Sequence, residues 1–246
     1  MNEVFFQSTK FFALPLHKKM ELFRNEKLRG YTPTLDQTLD PENQVQGDLK
    51  EGYYIGVEVP EDDPDAKKPF YGPNQWPSED AGFFDKPEML GEPLATLKLL
   101  HYEDKISDPA RGIYGCGAHS DFGLINLLAT DDVAGLQICK NKDARPRIWE
   151  DVAPLKGGFI INIGDLLERL SNDVFRSTLH RVVLDGQERY SVAFFADPKP
   201  ECIVECLPSC TSDMNPPKYP PITCYAYMNQ RYNDTHLGLN HIMDKK

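Results

Sequence analysis

The pattern of apolar residues divides the chain into a helical start, an irregular stretch and a long strand-rich part. In the first thirty residues, large apolar side chains recur on one face and predict helix, with a break at Leu14-Pro15 where a second helix can begin. The pattern is lost over residues 30–81, which contain seven of the 20 prolines. A structureless stretch of this length is uncommon inside a compact domain, and such stretches often serve as functional loops or linkers.

Seven short β-rich runs, each bounded by turn residues, follow from residue 94 onward. They cover residues 94–102, 122–130, 136–139, 158–163, 177–184, 189–196 and 202–206. Asp185-Gly186 predicts a hairpin between two of these runs, and short helices are predicted over residues 166–170 and 226–232. Many strands and few helices predict a mainly β fold with flanking helices (α+β), built as a sandwich, barrel or jelly roll.

Composition and charge exclude several classes of protein. The chain of 246 residues fits one structural domain, and its 40% hydrophobic and 26% charged residues exclude a disordered chain or a coiled coil. The net charge of −11 lacks the cationic field that nucleic acid or an anionic membrane needs. The longest uncharged run, residues 219–230, falls short of the roughly 18 apolar residues that cross a bilayer. We therefore expect no nucleic-acid or membrane partner, and a monomer.

The six cysteines predict free thiols in the cytoplasm rather than a disulfide framework. The chain is long and rich in apolar residues, and its first residues do not resemble a signal peptide. Cys202, Cys206 and Cys210 are spaced by four, but Pro208 interrupts any shared helix and no fourth zinc ligand is evident. We expect these three cysteines to be buried, small apolar residues.

His119 and Asp121 form the first half of a candidate metal site. The pattern His-x-Asp/Glu occurs by chance about once in a chain of this composition, so its context decides its value. His119 follows a Gly-rich turn that enters a strand, and residues i and i+2 of a strand address one face. The second match, His101, lies in the middle of a predicted strand without such a turn, and we expect it to be structural.

His180, in a β-rich run further along the chain, is the candidate third ligand. Two imidazoles and one carboxylate form the facial triad of non-haem Fe(II) oxygenases, although zinc accepts the same ligands. A hydrogen-bonded sheet histidine is the alternative interpretation. Past the hairpin, Arg189 and Ser191 again share one face and can clamp a carboxylate. The same spacing recurs at Arg169 and Ser171, and a surface position beside the turn is the alternative for Arg189.

Taken together, the motifs resemble one family. They are His119-Ser-Asp121, Gly158-Phe-Ile-Ile-Asn-Ile-Gly-Asp165, Leu170-Ser-Asn172, Ser177-Thr-Leu-His-Arg-Val182 and Arg189-Tyr-Ser191. In this order they resemble the plant-type 2-oxoglutarate/Fe(II)-dependent dioxygenases of the isopenicillin N synthase-like superfamily. The resemblance covers residues 5–235 and implies a double-stranded β-helix, the jelly roll also found in cupins.

The resemblance also implies roles for individual residues. His119, Asp121 and His180 match the iron ligands, Arg189 and Ser191 match the pair that holds the distal carboxylate of 2-oxoglutarate, and Tyr102 matches a tyrosine that contacts this co-substrate. Phe195 matches an aromatic residue of the substrate pocket; it, Asn162 and Leu136 could equally be core residues. The implied activity is a dioxygenase that uses Fe(II), 2-oxoglutarate and O₂ to hydroxylate a small organic metabolite, with release of succinate and CO₂.

Two departures from the family pattern predict a shortened chain. The chain starts inside a helix that members place after an initial strand, helix and strand, and no long amphipathic helix separates residues 76–81 from residues 82–90. We divide the single domain into an incomplete N-terminal segment (1–93), a β-helix core (94–206) and a C-terminal tail (207–246). Two alternatives stay open: a catalytically impaired isoform that at most binds metal, and an iron oxidase in which Arg189 and Ser191 bind the substrate's own carboxylate.

Overall fold

A computed structural model describes residues 2–76 and 94–235. Its helices are α1 Asn2–Phe12, α2 Leu16–Met20, α3 Asp165–Leu170 and α4 Cys224–Thr235. Its strands are β1 Gly30–Thr32, β2 Glu51–Gly56, β3 Leu94–Tyr102, β4 Cys116–His119, β5 Ile125–Thr130, β6 Leu136–Cys139, β7 Trp149–Asp151, β8 Ile160–Ile163, β9 Leu179–Val182, β10 Arg189–Asp197, β11 Ile203–Val204 and β12 Ile222–Thr223. None of the helices in these ranges is long and apolar enough to span a bilayer.

Two antiparallel sheets enclose the centre of the molecule. The larger has the strand order β1-β2-β3-β10-β5-β8, and the smaller has the order β4-β9-β6-β7. Residues from both sheets, including Leu100 and Tyr102 of the larger and Leu136 and Val182 of the smaller, form one buried cluster. Two facing antiparallel sheets around one core are the architecture of a jelly roll, as predicted.

The register of β10 decides which side chains enter this interior. Arg189 is paired with Tyr102 of β3, and Phe195 is paired with Asn126 of β5. Because alternate residues of a strand face opposite sides of the sheet, Arg189, Ser191 and Phe195 all line the central cavity. Ala193 lines it as well, whereas Tyr190 and Val192 face the outer side of the sheet.

The outer face of the larger sheet is covered in part by α1. Phe12 of α1 packs in a cluster with Tyr53 and Ile55 of β2, Leu99 of β3 and Val192 of β10. All six residues of β2 are buried. The prediction of an irregular segment over residues 30–81 was wrong at β1 and β2, because a strand buried on both faces lacks the apolar–polar alternation that marks a strand.

His101 anchors a buried polar cluster on this outer face. Its Nδ1 lies 2.7 Å from Glu51 and its Nε2 lies 2.9 Å from Glu188. The ring lies between Phe12, 5.4 Å away, and Tyr190, 4.6 Å away. These contacts tie α1, β2, β3 and the start of β10 together, which is the structural role that the sequence predicted. The hairpin predicted at Asp185-Gly186 was wrong, because β9 and β10 lie in different sheets and the turn carries the chain from one sheet to the other.

Several other expectations change. The bounds of β3 and β6 agree with the sequence, but β4, β7 and β12 had not been predicted as strands. Cys202 is exposed, and Cys206 and Cys210 are only partly buried, so the expectation of three buried thiols was wrong. The junction predicted near residues 81 and 82 lies outside the described residues.

Candidate metal centre

His119, Asp121 and His180 come together at the end of the β4–β9 pair. His119 is paired directly with His180, and their ring centres are 4.3 Å apart. Asp121 Oδ1 lies 3.6 Å from His119 Nε2, and its Oδ2 lies 3.8 Å from His180 Nε2. One ligand atom from each of the three residues lies within 4.8 Å of the others, and no other His, Cys, Asp or Glu group in the described ranges has this geometry.

Asp121 reaches the site differently from the prediction. β4 ends at His119, so the two residues are not successive same-face positions of one strand. The chain turns after His119, and Asp165 N donates to the Asp121 carbonyl at 2.8 Å. A Cβ on Gly164 would lie 2.3 Å from the Gly123 carbonyl oxygen, so this close approach requires glycine. The turn, rather than strand pleating, directs the carboxylate to the histidines.

Hydrogen bonds fix the orientation of the three side chains. His119 Nδ1 lies 2.8 Å from the Gly117 carbonyl oxygen, and His180 Nδ1 lies 3.0 Å from the Thr178 carbonyl oxygen. Each Nδ1 therefore carries a hydrogen and donates it, so that Nε2 is the ring nitrogen that faces an ion. Asn162 Nδ2 donates to Asp121 Oδ2 at 2.6 Å, so Asn162 supports the carboxylate.

The charges of the cluster suit a cation. Burial tends to raise the pKa of Asp121, but His180 and His119 outweigh it and hold this pKa well below its usual range. Burial lowers the pKa of His180, and the neighbouring His119 lowers it further. Burial tends to lower the pKa of His119, but Cys116 and Asp121 outweigh it and raise this pKa to about 10. In the metal-free protein at neutral pH, Asp121 is therefore anionic, His180 is neutral and His119 is protonated, so an ion that binds His119 has to displace a proton from its ring.

Arg189 and Ser191 supply the opposite end of the cavity. Arg189 is 1% exposed, and its Nε and Nη1 find no hydrogen-bond partner among the described residues. Its guanidinium carbon lies 5.1 Å from the centre of the Tyr102 ring. Burial raises the pKa of Tyr102 to about 12, so its hydroxyl is protonated at neutral pH. A buried guanidinium with free N–H groups fits a carboxylate such as the distal end of 2-oxoglutarate.

A cavity of about 140 Å³ connects the two ends. A single water needs about 10–15 Å³ by the same measure, so there is room for a small organic molecule. All six predicted site residues line it, as do Asn162, Leu136 and Phe195. The rest of the wall is largely apolar and includes Leu28, Leu39, Tyr54, Phe70, Leu94, Phe122, Leu128, Met228 and Tyr232.

Several polar residues of the cavity had not been identified from the sequence, and three of them illustrate why. Lys50 lines it from the position before β2, Lys98 from β3 and Asn126 from β5. Lys50 is paired with Asp48, and Lys98 Nζ lies 4.4 Å from the centre of the Tyr54 ring. Lys50 carried no usable signal because β2 was not predicted. Lys98 and Asn126 could have been found from the inward alternation of β3 and β5.

Two family sequence models match the chain. The model described as the 2OG-Fe(II) oxygenase superfamily matches residues 95–198. The model described as the N-terminal region of non-haem dioxygenase in morphine synthesis matches residues 1–79. Together they cover both the N-terminal strands and the β-helix core.

Two plant proteins are similar to this chain over most of its length. Kihadalactone A synthase of Citrus sinensis is 42% identical across 100% of this chain and 83% of that protein. Azadirone synthase of Melia azedarach is 41% identical across 95% of this chain and 80% of that protein. The first alignment runs over 281 positions although this chain has 246 residues, so the relative has internal positions without a counterpart here.

Solved structures share the fold. A full-length Neurospora crassa protein in complex with alpha-KG and thymine is 28% identical, with a TM-score of 0.74 over 95% of this chain and 82% of that one. A 2OG-Fe(II) oxygenase family protein from Caulobacter crescentus is 28% identical, with a TM-score of 0.72 over 95% of this chain and 85% of that one. The predicted double-stranded β-helix is thereby confirmed.

The family's requirement for Fe(II), 2-oxoglutarate and O₂ agrees with a His-Asp-His cluster and a buried, unpaired guanidinium in one cavity. A fungal relative at 36% identity is likewise named a 2-oxoglutarate-Fe(II) type oxidoreductase. The chain belongs to the 2OG-Fe(II) oxygenase superfamily and is a 2-oxoglutarate-dependent dioxygenase of small metabolites.

Proposed function

We propose that His119, Asp121 and His180 hold the Fe(II) of this enzyme, and that Arg189 and Ser191 hold the distal carboxylate of 2-oxoglutarate beside Tyr102. The observation that carries this proposal is the position of both groups in one cavity, with the metal-binding atoms within 4.8 Å of one another. The reaction is the hydroxylation of a small organic metabolite that occupies the apolar part of the cavity.

The three side chains would hold the ion from one side, so that the co-substrate and O₂ could approach it from the rest of the cavity. Bound Fe(II) supplies the chemistry that couples O₂ and 2-oxoglutarate to oxidation of a C–H bond, with release of succinate and CO₂. Asn162 keeps the Asp121 carboxylate in place through its 2.6 Å hydrogen bond. The backbone carbonyls of Gly117 and Thr178 do the same for the two imidazoles.

The co-substrate end works by charge and desolvation. The Arg189 guanidinium is fully buried, so its hydrogen bonds to a carboxylate are scarcely weakened by water. Ser191 is also buried and presents its hydroxyl on the same face of β10. Phe122 and Phe195 exclude water from the space next to the metal ligands, where an oxidised substrate carbon has to lie.

The relatives support a metabolite as the substrate class. The two plant relatives are named as synthases of kihadalactone A and azadirone, and a Monascus ruber relative is a 2-oxoglutarate-dependent dioxygenase. We also propose that the chain acts as a monomer and that it is located in the cytoplasm; the six free cysteines support the second point. Sedimentation at working concentration and fractionation of the source cells test these two points.

Anaerobic addition of Fe(II) and then 2-oxoglutarate tests the assignment. A charge-transfer absorption band should appear only when both are present, and it should be absent in His180→Ala. If Fe(II) binds but the band never forms, the oxidase alternative is supported. If Fe(II) itself does not bind, the chain is an impaired isoform and the proposal is wrong.

A further inference from the structure

Asn126 is a buried polar residue for which the proposed roles give no function. It lies in β5, is 1% exposed, and lines the cavity between Phe195 of β10 and Asn162 of β8. On the same face of β5, the next residue is the apolar Leu128. The carboxamide is thus a polar group in a mainly apolar wall.

Neither polar atom of this side chain has a partner. Asn126 Oδ1 and Nδ2 are both buried without a hydrogen bond to any described residue. Asn162 faces Asn126 across the strand pair, but its amide donates to Asp121 at 2.6 Å. Burying an amide without hydrogen bonds is costly, and nearly all buried polar groups in proteins have a partner. A molecule bound in the cavity could supply the missing partner.

The register places Asn126 at the substrate end of the cavity. It pairs with Phe195, whereas the co-substrate clamp begins at Ser191, four residues away on β10. Four residues of strand span about 13 Å. The four C–C bonds of 2-oxoglutarate cover less than about 6 Å. The carboxamide consequently lies beyond the reach of a co-substrate held at Ser191, and it lies next to Phe195.

We propose that Asn126 determines substrate specificity by hydrogen bonding to a neutral polar group, one that both donates and accepts, on an otherwise apolar substrate. Hydroxyl and lactam groups have this property, and both atoms of the carboxamide are satisfied by such a group. The proposal rests on the proposed function, because it takes the metal and co-substrate ends of the cavity as assigned there. It adds the chemical class of the organic substrate.

A pair of probes of equal shape tests this proposal. Dihydroquinolinone is a two-ring lactam, and tetralin is a hydrocarbon of nearly the same size and shape. Binding of each is measured by anaerobic calorimetry on the protein loaded with Fe(II) and 2-oxoglutarate. In Asn126→Leu, the preference for the lactam over the hydrocarbon should fall at least tenfold, which corresponds to about 1.4 kcal/mol. Ile125→Val, on the outward face of the same strand, should leave the preference unchanged.

The two proposals fail in different ways. If the wild-type protein shows no charge-transfer band with Fe(II) and 2-oxoglutarate, the proposed function fails. If the band is present but Asn126→Leu keeps the wild-type preference, or neither probe binds, Asn126 does not select the substrate. A tenfold loss of 2-oxoglutarate affinity in Asn126→Leu would also overturn the proposal, because it would assign Asn126 to the co-substrate. Asn126→Thr provides a second variant. Because each variant removes a buried amide that has no hydrogen bond in the described protein, both should keep at least the wild-type thermal midpoint.

Discussion

Arg189 lies directly across the β3–β10 pair from Tyr102, and its guanidinium carbon is 5.1 Å from the centre of the tyrosine ring. The strand pairing fixes the two backbones, and the ring contact restricts the guanidinium. The cation is therefore held in one orientation before any anion arrives, which reduces the entropy lost on binding.

Replacing Arg189 should weaken 2-oxoglutarate binding far more than Fe(II) binding. Loss of a buried charge-assisted partner costs on the order of 2–3 kcal/mol, so Arg189→Ala should reduce the affinity roughly 30- to 150-fold. Titration of the charge-transfer band measures this effect. Arg181, which stacks on Trp149 at 4.0 Å and does not line the cavity, is the matched control as Arg181→Lys. An unchanged affinity in Arg189→Ala would place the clamp elsewhere.

Replacing His180 should remove the metal site. His180→Ala deletes one of the three proposed ligands and leaves Asp121 with a single imidazole neighbour. Fe(II) affinity, measured by equilibrium dialysis under argon, should fall by at least tenfold, the lower end of what removing even a supporting partner of a metal ligand costs. His17→Ala, at an exposed position of α2, should bind as the wild type does. Wild-type Fe(II) affinity in His180→Ala would contradict the assignment.

Gly164→Ala should damage the same site without touching a ligand. Its new Cβ would lie 2.3 Å from the Gly123 carbonyl oxygen and 3.0 Å from that of Asp121, so the turn that carries Asp121 must shift. We expect a lower thermal midpoint and weaker Fe(II) binding together. Gly157→Ala is a useful comparison, because a Cβ there meets nothing within 4 Å, although its φ of +72° adds backbone strain. Normal Fe(II) binding in Gly164→Ala would show that the turn tolerates the methyl group.

Asp197 should make the metal-free protein less stable as pH rises. Burial raises the pKa of Asp197 to about 7, whereas an unfolded aspartate titrates near 3.9. Between these values the folded state binds more protons than the unfolded state, so the free energy of unfolding falls as pH increases from about 4 to 7. The loss should amount to a few kcal/mol at most.

Asp197→Asn removes the titrating group but keeps an acceptor for Leu124 N, which now donates to Asp197 Oδ1 at 3.1 Å. Urea denaturation of both proteins at several pH values gives the comparison. The free energy of unfolding of the wild type minus that of the variant should decrease from pH 4 to 7 and then level off. Parallel curves would mean that Asp197 ionises normally in the folded protein.

Restoring internal residues should stabilise the chain. The Citrus sinensis relative aligns over 281 positions against the 246 residues present here, and the two family matches leave residues 80–94 between them. Ile125 and Ile161 point away from the cavity on β5 and β8, and both are exposed. Each large apolar side chain contributes roughly 1.5–3 kcal/mol when it becomes buried.

We therefore expect a chimaera carrying the relative's intervening segment to melt at a higher temperature and to bind less of an apolar-surface dye. An insert of the same length made of Gly and Ser is the control. Equal midpoints and equal dye binding in the chimaera and the unmodified chain would show that the shortened chain is complete.

Much of the fold could be predicted because its strands alternate. β3 and β6 alternate or end at clear turns, and their bounds agreed with the sequence. The strand β2 was not predicted because it is buried on both faces, between α1 and the cavity. β7 has three residues, two of them exposed, and such a short strand has too little pattern to detect.

The site followed the same logic. The six residues proposed for the metal and the co-substrate were chosen from spacing and motif, and all six line the cavity. Asp121 was placed on a strand that in fact ends two residues earlier, because a tight glycine turn has no periodicity. Asn126 escaped notice, since a single polar residue in an apolar run gains meaning only when its hydrogen-bond partners are known.

His119 and His180 face each other in the smaller sheet, yet they are roughly sixty residues apart along the chain, and β5 to β8 lie between them. An ion held by both would act as a cross-link that closes this long loop, and loop closure removes entropy from the unfolded chain. Ligands that bind only the folded state also stabilise it, by an amount that grows with the logarithm of their concentration. Iron supply would then affect the fraction of the protein that stays folded in the cell as well as its catalytic rate.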